Sequence, residues 1–182
     1  MHRYIAILRG INVGGNRKIL MADLKDLFVK QGFEMVKTYI QSGNVVFDSK
    51  TNISKQDWAL KLEKAILAEF GFDVPVIIKS AKDLNEAIES NPFYTEHTTD
   101  IERLHITFLE SAPKPEYLIS IRKFDAGNDQ FEVVNDQVFI CCSGKYSASK
   151  LTNTFFESKL KLKATTRNWN TVLKLHELCS VK

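Results

Sequence analysis

Tyr4-Ile5-Ala6-Ile7-Leu8 is apolar at every position, the pattern of a strand buried on both faces, and it predicts a central strand over residues 4–9. The run stops at Arg9 and opens into Gly10-Ile11-Asn12-Val13-Gly14-Gly15. Met21, Leu24, Leu27 and Phe28 then recur at helical spacing, with Gly32 as the stop. Met35 to Gln41 reads as a second strand, Ser42-Gly43-Asn44 as a tight turn, and Val45-Val46-Phe47 as the start of a third strand. Ser54 and Asp57 form a capping pair for a long helix whose inward stripe is Trp58, Leu62, Ile66 and Phe70, ended by Gly71. Val74 to Ile78 is a fourth strand, and its Pro75 suits a sheet edge. Ser80 and Asp83 open a short helix with Leu84, Ala87 and Ile88 inward, closed by Asn91-Pro92.

The order βαββαβ is that of a ferredoxin-like unit. Part of it recurs: a strand over Leu104–Leu109, a helix over Glu116–Phe124, two strands flanking the turn Asn135-Asp136, and a helix over 149–160. A last helix is expected from Asn168 to Leu178. The alternation Lys159-Leu160-Lys161-Leu162-Lys163 is read as a helix end rather than an eighth strand. The fold expected is therefore α+β: a ferredoxin-like half over 1–91 and a related βαββα half over 92–182, packed against the first. The repeat is one of element order, without visible residue identity. An apolar second face on the first sheet requires a cover, either the second half or another subunit in a homodimer.

In this topology strands one and two are parallel, so Arg9 and Gln41 end at the same sheet edge and the Ser42-Gly43-Asn44 turn sits beside the glycine loop. Arg9, Asn12, Gln41, Ser42 and Asn44 are cationic or neutral hydrogen-bonding residues, with no carboxylate or histidine among them. Gly14 and Gly15 expose backbone N–H groups that suit an anion. Glycines required only by the loop's own turns are the competing explanation, and neither the phosphate-loop nor the dinucleotide spacing is present. Thr165-Thr166-Arg167-Asn168-Trp169-Asn170 is read as a helix start capped by Thr166 or Asn168, where Arg167, Asn168, Asn170 and nearby Lys150 suit an anion; plain capping over a buried Trp169 is the alternative. His105 reads as a partly exposed sheet histidine. Ser147-Ala148-Ser149-Lys150 has Ser–Lys nucleophile spacing without its supporting motifs.

Composition narrows the classes. The chain has 182 residues, 44% hydrophobic and 26% charged, and no run approaches the ~20 apolar residues of a membrane span. Met1-His2-Arg3 leads directly into a strand, so no signal peptide is read, and the expected location is cytoplasmic. Three cysteines, two of them the adjacent Cys141 and Cys142, give neither a disulfide framework nor a zinc pattern, and no cofactor or metal is expected. The formal charge is only +3, with residues 151–182 near +4 and residues 92–149 near −4.

Six stretches resemble a bacterial family, domain of unknown function 1697: Arg9 to Gly15, Met21 to Leu24, Thr38 to Phe47, Asn91 to Phe93, Ser149 to Thr152 and Ala164 to Val172. The resemblance runs nearly end to end. It implies a soluble α+β protein of this size and no particular activity. One departure stands out, Leu160-Lys161-Leu162-Lys163 where a Leu-Gly turn is expected.

Three functions follow as candidates. The first is a pocket for a small anion, a nucleotide or phosphorylated metabolite. The second is nucleic-acid binding, with Tyr4, Tyr39 and Phe47 as strand aromatics but no RNP signature. The third is an interaction module in which the polar motifs only lock the halves. No catalytic residue is assigned.

Overall fold

The computed structural model describes residues 1–51, 53–98 and 100–180. The chain divides into two compact units, Met1–Leu84 with Leu175–Lys182, and Asn85–Lys174. The elements run β1 (His2–Leu8), α1 (Met21–Lys30), β2 (Glu34–Tyr39), β3 (Asn44–Ser49), α2 (Lys55–Phe70), β4 (Val76–Ser80) and α3 (Ala81–Ser90). They continue as β5 (Leu104–Leu109), α4 (Pro115–Ile121), β6 (Gln130–Val134), β7 (Gln137–Cys141), α5 (Asn153–Leu160), β8 (Ala164–Asn168) and α6 (Trp169–Ser180).

The first sheet has the order β2-β3-β1-β4 and is antiparallel throughout. The fourth strand is at an edge, so Pro75 precedes a strand that has one free side. Beneath α1 and α2 lies a core of Tyr4, Ala6, Leu8, Val45, Phe47 and Ile78. Phe47 is its centre, with ring centroids 4.4 Å from Phe33, 5.5 Å from Phe28 and 5.8 Å from Tyr4. Ile5, Ile7, Val46 and Ile77, on the other face, are buried too. Across that face the register partners Arg3 and Asp48 form a two-pronged ion pair at 2.7 and 3.0 Å.

Both capping pairs form. Ser54 accepts the Asp57 N–H at 3.0 Å, and Gly71 ends α2 in the left-handed conformation. Ser80 accepts the Asp83 N–H at 3.2 Å while Asp83 accepts the Ser80 N–H at 2.6 Å. Burial pushes the Asp83 carboxyl up, but Lys55 and Ser80 outweigh it and hold the carboxyl below its usual range.

The second sheet has the order β6-β7-β5-β8, again antiparallel. The Asn135-Asp136 turn joins β6 to β7, with Asn135 at φ 53°. This half has one strand more than expected. Ala164–Asn168, read from sequence as a loop entering a helix, is β8 and pairs with β5 from Leu109↔Ala164 to His105↔Asn168. The helix expected from 149 begins at Asn153, because Thr152 caps it by accepting the Phe155 N–H. Each half is thus βαββαβ followed by a helix.

Candidate functional site

At the end of β1, two backbone bonds fix what lies beside it: Leu8 N–H donates to Gly43 O at 2.8 Å, and Arg9 N–H donates to Pro75 O at 2.9 Å. The glycine loop and the 40–43 turn therefore adjoin. Asn12, at φ 56°, ties them together. Its amide donates to Ile19 O and Gln41 O, both at 2.9 Å, and its carbonyl oxygen accepts from Ile19 N–H at 2.9 Å. Asn44 is fully buried and donates to Tyr39 O at 3.0 Å and Ser42 Oγ at 3.2 Å. Gly43 has φ 82°, and a Cβ there would stand 2.7 Å from Ile11 Cδ1 and 2.8 Å from Leu8 Cβ. Asn12, Asn44 and Gly43 are thus braces of the loop cluster, with their bonding capacity turned inward.

Gly14 and Gly15 do something different. Val13 and Asn16 form a single bridge around them, and their consecutive positive φ values of 59° and 80° match a two-residue primed turn. Both are exposed, with open space where side chains would go. They form the tip of a small projecting hairpin. Its return arm carries Arg17 and Lys18, neither of which has an ion-pair partner among the described residues. Below it lies a cleft of about 400 Å³ lined by Asn12, Gly15, Lys18, Ile19, Leu20 and Gln41. Leu20 is also the N-cap residue of α1 and makes no side-chain capping bond. α2, α3 and α5 are capped by Ser54, Ser80 and Thr152. The first N–H groups of α1 are accordingly without the side-chain acceptor those helices have.

Of the residues expected at this edge, Asn12, Gly15 and Gln41 line the cleft. Arg9, Gly14, Ser42 and Asn44 do not line it, although all belong to the same loop cluster. Lys18, Ile19 and Leu20 were not anticipated. Two signals were available: the acid-free run Asn16-Arg17-Lys18, and a leucine where a helix would ordinarily take a polar cap.

Lys150, Arg167, Asn168 and Asn170 lie in the second unit. Arg167 is an interior residue of β8, its Nη1 donating to Thr165 Oγ1 at 3.0 Å and Thr166 O at 2.8 Å; burial pulls its guanidinium down to about 10. Asn168 is the cap of α6, accepting the Thr171 N–H at 2.9 Å, and Asn170 is exposed on the first turn. Lys150 lines a separate cleft of about 250 Å³ with Asn128, Asp129, Ser143, Lys145 and Ser149 among its walls. The Asp129 carboxylate ties that cleft's loops together, accepting Ser143 N–H at 2.8 Å and the hydroxyls of Ser143 and Ser149 at 2.9 and 2.6 Å. Ser149 thus donates its hydroxyl proton to a carboxylate, a structural use unlike that of a Lys-activated nucleophile.

His105 is half-buried, stacked on Tyr146 with centroids 4.5 Å apart, and burial lowers its pKa, against the opposing bond to Arg103 O. Burial pushes the Cys142 thiol up to about 11, so it stays protonated. Among the described residues, no group of three or more His, Cys, Asp or Glu side chains could hold a metal ion. No described helix is long and apolar enough to cross a membrane. Tyr4 and Phe47 are core residues, and only Tyr39 of the three strand aromatics is half-exposed.

The fold defines an α+β protein built from two ferredoxin-like repeats, with a ligand-sized cleft at one end of the first. The chain belongs to the family described as "Protein of unknown function (DUF1697)", whose model matches residues 1–139. No curated protein matches it. Among solved structures it is similar to the conserved bacterial protein SP0830 from Streptococcus pneumoniae, at 25% identity and a TM-score of 0.78, over 98% of this chain and 99% of that one.

Proposed function

We propose that the first unit binds a small organic anion in the cleft beneath the 9–20 loop. The observation that carries this is the placement of Lys18, without an ion-pair partner among the described residues, on a concave site with no acidic residue in its lining. Its volume of about 400 Å³ falls in the range of small-molecule pockets, roughly 300–1,000 Å³. Arg17 adds a second cation next along the chain, and the α1 N-terminus offers N–H groups, its positive dipole end partly offset by Asp23 in the first turn. No carboxylate, histidine, serine or cysteine lines the cleft, so it presents no general base or nucleophile, and its chemistry is recognition and charge stabilisation.

The experiment is a thermal-shift screen of nucleotides, sugar phosphates and carboxylates against the wild type and Lys18→Gln. A rise in midpoint that Lys18→Gln abolishes supports the proposal. A flat response across all anions contradicts it. The structural reading keeps one specific support: the inward bonds of Asn12 and Asn44 are those of a lock. In this account the lock is what builds the cleft.

A further inference from the structure

We infer, resting on that reading, that the ligand is an amphipathic anion: a hydrocarbon body lying over Leu20, with its charged head at Lys18. A cleft evolved for phosphate alone would be polar throughout, because apolar lining adds nothing to the recognition of a compact hydrated anion. Here the carbon-rich residues Ile19 and Leu20 form part of the wall. Leu20 is 70% exposed, though it lies between a cation and the start of a helix, where a polar residue would cost nothing. The neighbouring positions continue the pattern. Val13, next to Asn12, is 64% exposed, and Ile40, next to Gln41, is 45% exposed. Leu20 is the exposed large apolar side chain in the cleft's lining, and Val13 and Ile40 are exposed on the two loops that Asn12 braces.

The two features together select the ligand class. Lys18 favours an anion, and the exposed Leu20 beside it favours the anion's carbon chain. The concavity and volume suit a single free molecule rather than a flat surface. The Gln41 side chain, on the same lining, makes no hydrogen bond within the described structure and can meet an ester or amide linking head and chain.

The test is calorimetric titration with inorganic phosphate and with ethyl, butyl, hexyl and octyl phosphate, each below its micelle concentration. Affinity should rise with chain length, by up to about fourfold per added methylene until the cleft is filled. Lys18→Gln should weaken every member of the series, whereas Leu20→Ala, which installs no capping group, should flatten its slope. Leu20 is exposed, so folding is not at stake in that variant. Phosphate binding that depends on Lys18 but gains nothing from the chain overturns the inference and leaves the anion site standing. Silence from every member removes both. Binding only to anionic vesicles, or a dimer in sedimentation that Leu20→Ala dissolves, assigns the surface to another occupant and overturns the inference.

Discussion

The two halves of this chain repeat one another down to single hydrogen bonds, and they differ in their connections: the first half has the longer β1–α1 loop, the second the longer α4–β6 and β7–α5 loops. Leu8 N–H to Gly43 O in the first half has its counterpart in Leu109 N–H to Asp136 O in the second. Arg9 N–H to Pro75 O corresponds to Glu110 N–H to Lys163 O. Glu63 accepts the Val76 N–H at the start of β4, and Glu157 accepts the Ala164 N–H at the start of β8. Ser80 and Asn168 each end the last strand and cap the following helix from three residues away. Against this common frame, β1 reaches α1 through residues 9–20, whereas β5 reaches α4 through 110–114. Connections in compact domains are usually about 4–6 residues long, so the first half carries an addition that the fold does not need. At the matching position the charge also inverts, from Arg9 to Glu110. Each half thus has a cleft lined by its longer loops, 9–20 in the first and 126–129 with 143–150 in the second, and the proposal places the ligand at the first, whose lining holds a lysine and no acidic residue.

The sharpest way to break this comparison is at the brace. Gly43→Ala combines a left-handed φ with a Cβ closer than 3 Å to Leu8 and Ile11, and should cost about 3 kcal/mol in denaturant unfolding. An Asn135→Ala change in the corresponding second turn, at φ 53°, should cost about 1 kcal/mol. Equal costs would mean that the first turn is not wedged against the loop. Next comes Asn12→Ala, which removes three side-chain bonds and should lower stability by about 2 kcal/mol by the same measurement. A loss within error would show that the loop holds its shape unaided.

A smaller change sharpens the likeness instead. Gly71 and Lys161 end the equivalent helices α2 and α5, both left-handed, at φ 73° and 57°. Lys161 therefore occupies the place of the glycine turn whose absence the sequence shows. Lys161→Gly should raise stability by about 1 kcal/mol, and an unchanged midpoint would mean that the lysine is not strained there.

The smallest expected effect is a pH slope. Tyr4 and His105 are matching positions on β1 and β5, paired with Ser80 and Asn168. Burial lowers the His105 pKa in the folded chain, so the unfolded chain binds the proton more readily. Its contribution is complete above the unfolded value of about 6.5 and is lost as pH falls through the lower folded value. His105→Tyr should abolish the part of the acid loss that begins near pH 6.5, leaving the part set by Asp83 below about pH 4. An unaltered stability–pH curve would mean that another group titrates there.

Much of the frame was legible because its signals are local. Ser54 with Asp57, Ser80 with Asp83, Asn135-Asp136 and the edge proline each encode their geometry within a few residues. β8 was not legible because Ala164-Thr165-Thr166-Arg167-Asn168 has no apolar alternation. Its strand identity comes from pairing with β5, and its interior arginine is settled by hydrogen bonds to Thr165 and Thr166 that a pattern of apolar residues does not announce. At the loop cluster, topology alone put the 40–43 turn beside the glycine loop. What it could not separate was bracing from lining. Asn12 and Asn44 are the same residue type as a ligand-binding asparagine, and only their inward bonds tell the difference. Lys18 and Leu20 carry no motif, because a lone lysine and a lone leucine match no local pattern.

The central claim is that the long β1–α1 connection, absent from the second half, is where this protein meets its ligand. The most direct measurement is an amide chemical-shift titration of the labelled protein with octyl phosphate below its micelle concentration. The account predicts saturable shifts at residues 12–20 and at Gln41, with 110–114 unmoved. Shifts confined to 126–129 and 143–150, around Lys150, would contradict it.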